Sequence, residues 1–143
     1  MRKRTFKIEP PFSRGFVYWF KGLPIQPITE VTNGITRTSR GDEWHSPHYA
    51  LVISANEFNE NQEAGVVIIP LTSARENGRE KYDSATVKPT WARVLIKEEY
   101  AYVLCEQIRY VDARRGAKTF KQELKDFEMR DVEDKLRKLL LLP

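Results

Sequence analysis

The chain has 143 residues, 41% hydrophobic and 31% charged, with a formal net charge of +4. That length suits one domain able to bury a core without staples. The composition excludes a disordered chain, and no apolar run approaches the roughly 20 residues of a membrane helix.

The single cysteine, Cys105, excludes an internal disulfide and fits a reducing, cytoplasmic setting. The mild positive charge permits nucleic-acid binding without demanding it. Met1-Arg2-Lys3-Arg4 is followed by no apolar h-region, so no signal peptide is expected. Residues 1–13 are basic and carry Pro10-Pro11; they read as an N-terminal extension whose order the sequence leaves open, ahead of a domain spanning 14–143.

Gly15 to Phe20 reads as a strand, rich in aromatic and β-branched residues. Residues 22–48 hold three prolines and no sustained period, and read as a long loop with room for a small hairpin at Asn33-Gly34. Tyr49 to Ser54 is a second strand, followed by a polar, turn-like stretch from Asn56. Gly65 to Leu71 is apolar throughout, as a central strand covered on both faces would be. Ser73 to Ser84 reads as a second mobile loop. Short strands are expected at Ala85 to Lys88 and Trp91 to Ile96, and a last long strand from Tyr100 to Val111. Met129, Val132, Leu136, Leu139 and Leu140 then fall on one helical face, with Asp126 as the expected N-cap, acids early and Lys135, Arg137 and Lys138 late. The expected fold is mainly β with a C-terminal α-helix, a small barrel or curled sheet with the helix laid against it.

There is no glycine-rich phosphate loop. One cysteine with His45 and His48 does not make an ordinary structural zinc site, so neither metal nor cofactor is expected. Cys105 lies in an apolar strand, which favours a buried inert thiol over a nucleophile.

Three stretches carry chemistry. Gly41 to Tyr49 brings Glu43, Trp44, His45 and His48 to the end of a loop where a strand begins; a carboxylate and an imidazole there can act as base and acid, or simply be solvated. Pro70-Leu71-Thr72-Ser73-Ala74-Arg75 ends a buried strand in two hydroxyls and a guanidinium, which suits a phosphate or a plain surface turn. Gln107 is an amide among apolar neighbours, able to read a base edge or to satisfy the backbone.

In order, these stretches resemble the MazF/PemK family of toxin–antitoxin ribonucleases. The opening strand resembles Gly15-Phe16-Val17. The family's Gly-x-Glu-x-x-Gly-x-Arg-Pro is similar to Gly41 through Tyr49, its Pro-x-Thr-Ser to Pro70 through Ser73, and its Glu-Gln-Ile-Arg-x-x-Asp to Glu106 through Asp112, followed by Arg114-Arg115. The resemblance spans about residues 14–142. It implies an SH3-like β-barrel, a homodimer, a cognate antitoxin partner, and metal-independent, sequence-specific cleavage of single-stranded RNA. It also places the family's catalytic arginine and threonine on His48 and Thr72, its glutamate on Glu43 and its base-contacting glutamine on Gln107.

The arginine is therefore a histidine here, the next proline is Tyr49 and the second glycine Ser46. A guanidinium grips a phosphate with two parallel bonds, which an imidazole cannot do. Three outcomes follow: acid–base chemistry at His48, phosphate grip passed to Arg37, Arg40 or Arg75, or loss of activity. The expected catalytic set is Glu43, His48 and Thr72. The expected RNA-binding set is His45, Ser73, Arg75, Gln107, Arg40 and Trp44. The alternative is a catalytically altered, CcdB-like binding module acting on gyrase, antitoxin or nucleic acid.

Overall fold

A computed structural model describes residues 12–22, 28–39, 47–60 and 65–143. In chain order these form β1 (Phe16–Phe20), β2 (Ile28–Thr32), β3 (Ile35–Ser39), β4 (His48–Val52), a one-turn helix α1 (Asn56–Asn59), β5 (Gly65–Ser73), β6 (Arg75–Glu76), β7 (Arg79–Glu80), β8 (Trp91–Ile96), β9 (Glu99–Leu104), β10 (Arg109–Asp112), β11 (Gly116–Glu123) and α2 (Asp126–Leu140).

The main sheet is antiparallel and runs β11-β1-β4-β5-β9-β8, with β10 also on β5. β5 sits in the middle. Its apolar run from Gly65 to Leu71 is explained by burial on both faces: Ile69 and Leu71 enter one core, and Val66 and Ile68 a second. The first core lies between the sheet and α2, which supplies the fully buried Val132 with Met129 and Leu136 beside it. The second gathers Tyr18, Phe20, Ala50, Val52 and Val111 around Phe12, whose ring meets Tyr18 edge-on at 4.7 Å.

The ends of this path, β8 and β11, are joined by a side chain. Gln122 of β11 accepts from the Lys97 backbone N–H at 3.0 Å and donates to the Leu95 carbonyl at 2.8 Å. Glu128 of α2 accepts the Leu95 N–H at 2.8 Å and, through its other oxygen, the Lys125 N–H at 2.9 Å. An exposed edge strand is thus covered by an amide and a carboxylate, and the sheet curls into the small barrel expected from the sequence.

Several expected elements are corrected. Ala85 to Lys88 is a turn, because Asp83 accepts from both the backbone N–H and the hydroxyl of Thr86 at 2.8 Å; the same two bonds hold the exposed Asp83 carboxyl below its usual range. The run Tyr100 to Val111 is broken by a 3₁₀ turn at Cys105–Gln107, which lets β9 and β10 pair with successive parts of β5. Ser73 to Ser84 contains the hairpin β6–β7. The N-cap of α2 is Lys125, with Asp126 the first helical residue. β11 was not expected: its sequence, Gly-Ala-Lys-Thr-Phe-Lys-Gln-Glu, has no apolar alternation. Against β1 it slips between Tyr18↔Lys121 and Trp19↔Ala117, a bulge that frees Phe120 to pack on Tyr49 at 4.9 Å.

Three hairpins use two-residue turns with positive φ at both positions. Asn33-Gly34 and Asn77-Gly78 have the residues such turns favour. The third, between β8 and β9, is Lys97-Glu98 at φ 50° and 66°. Neither residue is suited to the left-handed region, which costs about 1–2 kcal/mol per residue.

Candidate functional site

The site arises where β4 and β5 part. Their ladder covers Val52↔Ile68, Leu51↔Ile69 and Ala50↔Pro70. Carried two residues further, this register brings His48 level with Thr72. Paired positions of an antiparallel sheet share a face, so one row reads Phe20, His48, Thr72, Tyr102 across β1, β4, β5 and β9. Beyond Ala50, residues of the two strands instead line a cleft of about 320 Å³, which holds His48, Thr72 and Ser73 together. The β8–β9 turn forms its other wall, contributing Lys97, Glu99 and Tyr100.

Thr72 is 9% exposed, and its hydroxyl lies 2.9 Å from the Tyr82 hydroxyl. Tyr82 is fixed by rings, edge-on to Trp91 at 5.0 Å and to Tyr102 at 6.1 Å. A hydroxyl has one donor and two acceptor sites, so Thr72 can accept from Tyr82 and still donate into the cleft. His48 is half-buried, and Ser73 is exposed at the rim.

Lys97 was not singled out from sequence. It is exposed, and its Nζ lies 4.4 Å from the Phe120 ring centre and 3.2 Å from the Tyr49 hydroxyl. Trp19, 38% exposed, meets Tyr49 edge-on at 5.0 Å, and Arg93 stacks over the exposed Tyr100 at 4.2 Å. The sequence carries a hint of this wall only in hindsight: the turn falls between two expected strands, with no signal of which cleft it borders.

Glu43, Trp44, His45 and Arg40 lie outside the described residues. Gln107 is half-buried in the 3₁₀ turn and is not among the residues lining the cleft. Arg75 and Arg37 are also absent from its lining. Arg75 pairs with Glu80 at 3.5 Å, and Arg37 stands opposite Glu30 in the β2–β3 hairpin.

Two neighbours of Gln107 have structural roles. Burial, reinforced by the Glu106 charge, pushes the Cys105 thiol up to about 12, so it carries no thiolate near neutrality. Burial also opposes ionisation of Glu106, but donors from Trp91 Nε1 and Thr90 Oγ1, each at 3.0 Å, with Lys88 nearby, hold its carboxyl below the usual range. Among the described residues, no cluster of three or more His, Cys, Asp or Glu side chains is placed to hold a metal ion, and no helix is long and apolar enough to cross a membrane.

The sequence profile described as "PemK-like, MazF-like toxin of type II toxin-antitoxin system" matches residues 32–140, most of the chain. The chain belongs to this family. Solved structures of the family's fold agree. MazF from Deinococcus radiodurans (Form-I) is 19% identical, with a TM-score of 0.61 over 92% of this chain and 98% of that one. The MazE-MazF structure (Form-II) from the same organism is 18% identical, with a TM-score of 0.59 over 94% and 100%. An endoribonuclease in complex with its cognate antitoxin, from a mycobacterial species, is 20% identical, with a TM-score of 0.58 over 92% and 96%. A search of curated protein sequences returned no match.

Proposed function

We propose that this family member is an active toxin: a metal-independent endoribonuclease that cuts single-stranded RNA at short sequences by attack of the ribose 2′-hydroxyl on the adjacent phosphorus. The observation that carries this reading is the shared cleft of His48 and Thr72, the two positions on which the motif resemblance places the family's catalytic pair. The reaction needs a base for the 2′-hydroxyl, an acid for the leaving 5′-oxygen, and donors to the charged phosphorane. His48 serves as one proton-transfer group and Glu43 or His45 as the other. Thr72, with its second lone pair held by Tyr82, donates to a phosphoryl oxygen. Ser73 lies at the rim to hold the next phosphate, and the partly exposed aromatic residues Trp19 and Tyr100 line the cleft where unstacked bases would lie. Gln107, Arg75, Arg40 and Trp44 serve as further contacts to RNA.

The same reading brings partners: a second copy of the chain, and a cognate antitoxin, as in the solved complex of a relative with its cognate antitoxin. Leu139 to Leu142, exposed at the end of α2, supply an apolar surface of the kind such partners cover.

The test is cleavage in EDTA. Purified protein should cut a long single-stranded RNA and spare the same sequence as DNA. Intact RNA, or equal cutting of DNA, would reject the proposal. Within it, Tyr82 is a positioning residue. Tyr82→Phe keeps the ring contacts and removes the bond to Thr72, so kcat should fall about fivefold with KM unchanged, as for one neutral hydrogen bond. In a Thr72→Ala background the same change should have no effect; an equal loss there would mean that Tyr82 acts by another route.

A further inference from the structure

We infer that Lys97 is the phosphate-binding cation of the cleft and takes over the electrostatic part of the role that an arginine would play at position 48. This inference rests on the ribonuclease reading above and assigns its substrate contact.

Four observations converge on it. Among the described residues, Lys97 is the one lysine or arginine lining the cleft that holds His48 and Thr72. Its ammonium is carried by aromatic groups: the Phe120 ring at 4.4 Å, the Tyr49 ring at 5.6 Å and the Tyr49 hydroxyl at 3.2 Å. No carboxylate among the described residues lies within ion-pairing distance of it, although Arg75, Arg93, Lys88, Arg114, Lys135 and Arg137 all have one. Rings orient an ammonium without neutralising it, so its charge stays available to an anion. The third observation is the backbone. Lys97 stands at φ 50° in a two-residue turn whose counterparts in this chain, Asn33 and Asn77, are the residues that such a turn favours. Strain that a cheaper residue would relieve, at the wall of a cleft, points to use of the side chain. The fourth is the restraint: Gln122 holds the Lys97 N–H, and Phe120 reaches its ammonium because the β11 bulge turns it there.

The chemistry fits the substitution at His48. An imidazole can move a proton but cannot grip a phosphate bidentately. A lysine binds phosphate as a point charge. Dividing the arginine's two capacities between an imidazole on β4 and an ammonium on the opposite wall leaves the phosphodiester between them.

The experiment compares Lys97→Asn, the residue that the chain's other hairpins use, with Lys97→Arg. Three quantities are read: Tm, cleavage of the long RNA, and binding of a 2′-O-methylated single-stranded RNA pool by anisotropy between about 50 and 200 mM salt. Lys97→Asn should keep or raise Tm, weaken binding about tenfold at the low-salt end, and reduce the slope of log K against log salt by about one. Lys97→Arg should restore the binding and the slope. Wild-type affinity and slope in Lys97→Asn would overturn the inference, as would a lower Tm in both variants with parallel losses of binding, which would mark the lysine as structural. An Asn variant that binds RNA normally but loses affinity for a polyglutamate peptide would assign the lysine to an acidic protein partner and also overturn it. If the wild-type protein neither binds nor cuts RNA, the ribonuclease reading itself fails; if it cuts and Lys97→Asn cuts equally, only the present inference fails.

Discussion

His48→Ala should lower RNA cleavage by about 10²-fold or more while leaving the fold intact. The magnitude is that of removing a positioned proton-transfer group. The fold should survive because His48 begins β4, half-buried, whereas the strand's packing comes from Ala50, Leu51 and Val52. Thr72→Ala should cost a similar factor by removing one donor to the phosphorane. The double variant should lose less than the product of the two, since both groups serve one transition state. Single-turnover rates of these variants would check the expectations. An unchanged rate in His48→Ala would remove the histidine from the mechanism and leave Thr72, Lys97 and the loop residues to account for cleavage.

How much of this was legible from the sequence depends on which force set each element. β1, β4 and β5 are placed by apolar burial, which the sequence displays directly. The Asn33-Gly34 hairpin is placed by turn chemistry, equally local. Asn77-Gly78 carried the same signal, but strands of two residues gave no period on either side, and the segment read as a loop. β11 was invisible because its partner determines it: its register on β1 and the bridge made by Gln122 are long-range facts. At Asp83 a side chain competes with the ladder for Thr86, and strand propensity alone does not register that competition. The candidate site divides in the same way. His48, Thr72 and Ser73 stood out as strand-end residues in stretches that resemble the family's motifs, and the cleft holds them together. Lys97 carried no such signal, because the cleft exists only where β4 leaves β5 and the β8–β9 turn comes across to face it.

Glu128→Ala should be damaging although it lies outside the cleft, lowering stability by about 3 kcal/mol, or roughly 10 °C in Tm. The carboxylate is 4% exposed and does two things at once. One oxygen takes the Lys125 N–H and so caps α2; loss of such a cap typically costs about 1 kcal/mol. The other takes the Leu95 N–H on the edge of β8, and an unsatisfied buried donor costs about 1–3 kcal/mol. Losing both also loosens α2 from the sheet, where Val132 is fully buried. Glu128→Gln should fall between wild type and alanine: its carbonyl oxygen can accept one of the two N–H groups, while its amide nitrogen opposes the other. Urea unfolding of the three proteins would check the order. The same bond carries a functional consequence, because Leu95 lies two residues before Lys97 and Gln122 holds the backbone of both. A helix that slips on β8 should therefore disturb the Lys97 turn, and Glu128→Gln should lose RNA affinity before it loses its fold. Normal affinity in a clearly destabilised Glu128→Gln would show that the turn is held by Gln122 alone.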